Sequence, residues 1–78
     1  MMENLSVVLQ VKLTVRMKDT LERWVDCVRK GVMSANEAEH RVVAYSSALF
    51  HAGALSFGER VELSGYYRRK IVEVASDE

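Results

Sequence analysis

The chain has 78 residues, 11 Lys and Arg against 11 Asp and Glu, no proline, and one cysteine, Cys27. A chain of this size forms a single domain, residues 1–78, and buries only about 60% of the surface exposed by its unfolded form, so its own core is marginal. One thiol excludes an internal disulfide, the balanced charge argues against a strong nonspecific hold on nucleic acid, and no run of ~18 apolar residues is present to span a membrane.

The opening "MMEN" carries an early acid and Lys12 interrupts the apolar stretch that follows, which is not the pattern of a secretory signal. Together with the lone thiol this places the chain in the cytoplasm. Self-association is the expected supplement to so small a core. Residues 1–30 hold six basic and four acidic side chains, a net of +2, and residues 31–78 hold five and seven, a net of −2. A polyanion would therefore favour the N-terminal part.

From Leu5 to Met17 every odd position is apolar: Leu5, Val7, Leu9, Val11, Leu13, Val15, Met17. The even positions are polar apart from Val8. Alternation of this kind, rich in Val, Leu and Thr, predicts a β-strand with one buried face. No other segment alternates, and an isolated strand is unstable. The expected fold is therefore mainly α with one N-terminal strand, in the order strand-helix-helix-helix. That strand pairs antiparallel with its copy across the twofold axis of a homodimer.

A first helix is expected from about Asp19, as N-cap, to Lys30, with Leu21, Trp24, Val25 and Val28 as its buried stripe. Arg23 follows Asp19, and Lys30 follows Asp26, at the four-residue spacing that favours acid-to-base pairs. A second helix starts at "SANE", where Ser34 and Glu37 fit a capping box. Its core stripe is Ala38, Val42, Tyr45, Leu49 and Ala52, while Val43 and Phe50 lie on a different side that a second chain can meet. A third helix starts at "SFGE", with Ser56 and Glu59 as another capping box. Phe57, Val61, Tyr67, Ile71, Val72, Val74 and Ala75 cover its apolar half, and it should end near Ala75, leaving "SDE" to fray.

The run "LTVRMKDTLERWVDCVRKGVMSANEAEHRVV" resembles the ribbon-helix-helix family of dimeric DNA-binding repressors over roughly residues 9–50. The resemblance implies paired strands in the major groove, with Lys12, Thr14 and Arg16 reading base edges and Gln10 at the margin. It departs from the family in a longer alternating stretch, a shorter first helix, Lys18 in place of the usual proline, and an added third helix. A fainter likeness to the Hha/YmoA modulators, all-helical partners of nucleoid proteins, rests on the order of "DTLER", "SANE" and "YSSAL". It implies binding to a regulator protein and a helical first segment.

Little in the chain suggests chemistry. Glu37 and His40 have the i, i+3 spacing of carboxylate-bridged metal sites, but one such motif on a wet helix edge is not enough. His40 and His51, eleven residues apart on one helix, lie about 16 Å apart and cannot share a metal ion. Cys27 has no assignable base, Ser46 and Ser47 lack a nucleophile elbow, and no glycine-rich phosphate loop exists. "YYRRK", residues 66–70, mixes aromatic and basic groups and reads as a helix face with Tyr66 available for contact. The expected protein is not an enzyme, has no cofactor or metal, and regulates a larger protein target by docking on it. Val43, Phe50, Tyr66 and Arg69 are the expected contacts, and the DNA-binding repressor is the alternative.

Overall fold

Four hydroxyl side chains open four helices in the computed structural model of the chain, which describes residues 4–76. Ser6 Oγ accepts from the Leu9 N–H at 3.3 Å and starts α1, Val7–Lys12. Thr14 Oγ1 accepts from the Met17 N–H at 3.1 Å and starts α2, Val15–Arg29. Ser34 Oγ accepts from the Glu37 N–H at 3.1 Å and starts α3, Ala35–His51. Ser56 Oγ accepts from the Glu59 N–H at 3.2 Å and starts α4, Phe57–Ser76. Each cap satisfies a first-turn amide that has no partner inside its helix. At α4 the box is reciprocal, because Glu59 Oε1 accepts from the Ser56 N–H at 2.8 Å. At α3 the Glu37 carboxylate turns instead to Arg41, 3.0 Å away.

The expected N-terminal strand does not form, and no strand occurs among the described residues. Residues 7–12 are helical, Leu13 and Thr14 are extended, and α2 begins at Val15, four residues before the expected Asp19 cap. The strand-paired homodimer is overturned with it. The physical reason lies in the spacing. Every-second-residue alternation contains two rows at i, i+4: Leu5, Leu9, Leu13 and Val7, Val11, Val15. On a helix those rows stand about 200° apart at 100° per residue. The leucines face inward, with Leu9 fully buried and Leu13 nearly so, while Val7, Val8, Val11 and Val15 are exposed. Burial of one row is enough to hold a short helix whose β-branched residues favour other conformations.

Two glycines end α2 and α3. Gly31 and Gly53 have φ of +75° and +81°, where other residues are strained. In each case the residue after the glycine donates five residues back, Val32 to Cys27 O and Ala54 to Leu49 O, both at 2.9 Å. These are Schellman closures. The links that follow are short, so α3 runs antiparallel to both α2 and α4, its neighbours in the chain.

The core is built on α4. Leu63, Tyr67 and Ile71 are buried along it, against Leu9 and Leu13, against Leu21, Val25 and Val28 of α2, and against Ala38 and Val42 of α3. Trp24 and Tyr45 join α2 to α3 edge-on at 5.5 Å. Ser46 is also fully buried, its hydroxyl donating back to Val42 O at 2.9 Å. Phe57, Val61 and Val72, expected in the apolar half of α4, are instead exposed. Polar ties fasten α1: the Ser6 N–H donates to Glu62 at 2.6 Å, and Lys12 Nζ lies 2.9 Å from the same Glu59 oxygen that caps α4. The expected Asp26–Lys30 pair forms at 2.9 Å. No described helix is long and apolar enough to cross a membrane. The expected fraying of Asp77 and Glu78, and the opening Met1–Glu3, lie outside the described residues.

Leu9 and Val11 would share a face on a strand and are opposed here, which gives a direct test. Leu9→Ala should cost about 2–4 kcal/mol in urea denaturation, whereas Val11→Ala, at a position 79% exposed, should stay within about 0.5 kcal/mol of the parent. Acid provides a second. The Ser56 N–H and the Lys12 ammonium hold the Glu59 carboxyl below its ordinary value of 4.5. Its contribution is therefore fully present above that value and is lost as pH falls through the lowered one. Asp26, held low by Lys30 and Arg29, acts in the same direction. The urea midpoint should fall on acidification below about pH 4.5, and Glu59→Gln should flatten that fall.

Candidate functional site

The α3–α4 turn brings the last turn of one helix against the first turn of the next. Gly53 reverses the chain, and the two helices run antiparallel in a register marked by three cross-links. Phe50 meets Phe57, with ring centroids 5.8 Å apart and planes at 76°. One turn inward, Arg60 donates to Ser47 Oγ at 3.1 Å. Two turns further, Arg68 Nε lies 3.2 Å from Glu39 Oε1.

At the turn the aromatic rings and Arg60 make one cluster. The Arg60 guanidinium carbon sits 5.0 Å from the Phe57 centroid and 5.9 Å from that of Phe50. These are distances at which a cation gains from the ring quadrupole. His51 packs edge-on against Phe50 at 5.2 Å, and its Nδ1 lies 2.9 Å from Ser47 O. Phe57 is 60% exposed, and Val61, one turn on, is 51% exposed. An edge-to-face aromatic pair with an arginine above it, open to water, combines residue types enriched at protein interfaces.

The four expected partner contacts do not gather in one place. Phe50 belongs to the cluster and is half-buried. Val43, two turns earlier on α3, is 37% exposed. Tyr66 turns to the far side, edge-on to Tyr67 at 5.0 Å and beneath Lys70, and lines a recess with Asn4, Leu5 and Gln10. Arg69 lies on the outer face of α4, beside a shallow groove of about 470 Å³ lined also by Glu39, Gly65, Arg68, Val72 and Glu73. Periodicity alone places Phe57 in the apolar half of α4 and gives Arg60 no role. The signal that finds them is the pairing of helix ends across a short glycine link, which no single-helix periodicity contains.

The four expected base readers likewise separate. Gln10 Nε2 donates to Leu5 O at 2.6 Å, Lys12 pairs with Glu59, Thr14 caps α2, and Arg16 stands exposed on the second position of α2. They form no outward row, so the groove-reading arrangement implied by the ribbon-helix-helix resemblance has no ribbon here.

Among the described residues no three His, Cys, Asp or Glu side chains gather where they could hold a metal ion. Glu37 is engaged by Arg41, His40 is exposed, and Cys27 is half-buried. Burial, and after it the Glu22 carboxylate, push the Tyr67 phenol well above the ordinary tyrosine range. This is the behaviour of a core tyrosine, with the Glu22–Lys70 pair, 3.0 Å apart, closing over it.

Because Phe57 buries little in the fold, it can be removed without unfolding the chain. Phe57→Ala should cost about 1 kcal/mol or less by urea denaturation, against about 3 kcal/mol or more for Leu63→Ala in the core of the same helix. No family model matches the chain, and comparison with curated proteins and with solved structures finds no match.

Proposed function

We propose that this chain is a small non-enzymatic regulator that acts by docking on a larger protein through the Phe50–Phe57–Arg60 cluster. The observation that carries this reading is Phe57. It is a large aromatic side chain, 60% exposed, yet held in a defined position by a second ring and a guanidinium. Folding of this chain gains little from leaving such a group in water, whereas a partner that covers it gains a rigid apolar anchor at low entropic cost. Val61 and Val43 extend the apolar surface along both helices. The scattering of titratable groups into surface ion pairs agrees with a binding role rather than catalysis. The Hha/YmoA likeness, which implies a protein target, points the same way.

The test is retention from a nuclease-treated extract of the source cells by tagged parent and by tagged Phe57→Ala, compared quantitatively. A protein held by the parent should be retained about tenfold less by the variant, a loss on the scale of one hot-spot side chain, while the circular dichroism of the two baits is the same. Equal retention by both baits, no retained protein at low salt, or loss of retention on nuclease treatment would each refute the reading.

A further inference from the structure

Arg60 differs from the other structurally engaged cations of this chain. Lys12, Arg29, Lys30, Arg41, Arg68 and Lys70 each have a carboxylate oxygen within 3.2 Å. Arg16, Lys18 and Arg23 have no such partner, but they are exposed to solvent. Arg60 is half-buried between two rings and has no acidic partner among the described residues. The glutamates on either side of it are committed elsewhere: Glu59 to Ser56 and Lys12, and Glu62 to Ser6.

A guanidinium carries five N–H donors in a planar fork. One terminal nitrogen of Arg60 donates to Ser47 Oγ at 3.1 Å, and the guanidinium lies over the two rings. No buried side-chain nitrogen or oxygen among the described residues lacks a hydrogen-bond partner, so the remaining donors open to the surface. Ser47 and the two phenylalanines hold the fork in place before anything binds, which removes much of the ordering cost of a bidentate contact. The rings also strip part of its hydration, which strengthens the attraction to an anion.

Resting on the protein-docking reading above, we propose that the partner's epitope is an acidic side chain next to an apolar one. The carboxylate takes the open fork of Arg60, and the apolar group lies on Phe57 and Val61. The pairing is charge-complementary where this chain supplies no acid of its own, and it is of the charge-assisted, fork-to-carboxylate type that Arg favours.

The probe is a display library of random short peptides selected on the full-length chain, followed by titration of the enriched peptides as synthetic fluorescent conjugates. The expected result is peptides sharing an Asp or Glu beside a Leu, Ile or Phe, whose affinity falls about tenfold or more when that acid is changed to its amide. Arg60→Lys, which keeps the charge and loses the fork, should weaken them comparably, and Arg41→Lys should not. The amide exchange is made on the peptide, so it reads the contact even where an Arg60 variant folds poorly. Peptides that are lost with Phe57→Ala but indifferent to the amide exchange overturn the carboxylate while leaving the docking reading intact. Tighter binding when phosphoserine replaces the acid overturns it in favour of a phosphate. Peptides that bind regardless of Phe57→Ala overturn both.

Discussion

Everything in this structure depends on covering α4. Its buried row, Leu63, Tyr67 and Ile71, needs apolar neighbours on more than one side, and a chain of 78 residues can supply them only by wrapping its other helices around one. α2 and α3 give the larger contacts, and α1, only six residues long, adds Leu9 as a plug. The polar ties serve the same packing. Glu59 is a single carboxylate that caps α4 and holds Lys12 of α1, so the start of the longest helix and the docking of the shortest share one group. The outward side of α4 is left to water, carrying Phe57, Val61 and Val72. The exposed surface is thus a consequence of how the core is closed.

Much of the helical half of this arrangement is legible in the residues. Ser34 and Ser56 announce the starts of α3 and α4, and Gly31 and Gly53 announce the ends of α2 and α3. Each works through local hydrogen bonding or φ, which depend on near neighbours alone. The N-terminal stretch is different because its pattern is degenerate. Two apolar rows at i, i+4, one buried and one wet, overlay into the same alternation that a strand requires. Counting apolar positions cannot separate the two. The cap residues can: Ser6 and Thr14, eight positions apart, each sit just before a helical turn and accept from the amide three residues on. The tertiary contact of Leu9 then outweighs the β-preference of the valines beside it.

The proposed docking surface is only partly legible in the residues. Phe50 and Val43 stand off the core stripe of α3, and a second apolar side on one helix is detectable by periodicity. Phe57 was not separable from the core, because a helix wheel does not say where the neighbouring helices stop. Tyr66 has an interface-prone chemistry but lies half-buried beside Tyr67 and Lys70, away from the cluster. Arg60 looked like one charged residue among many. What sets it apart is an ion pair that is missing, and a missing pair is a property of three-dimensional neighbours.

The position of the cluster also bears on what it can do. A surface carried on a loop must be ordered when a partner arrives, and that ordering weakens binding. Here the rings stand on the last turn of one capped helix and the first turn of the next. A Schellman closure at Gly53 and a reciprocal box between Ser56 and Glu59 flank the turn that joins them. Both devices satisfy backbone groups locally, so the turn is fixed without calling on Phe57 or Arg60. Those two side chains are therefore held by the hairpin rather than needed to hold it. This frees them for recognition and lets their loss be read in binding separately from folding.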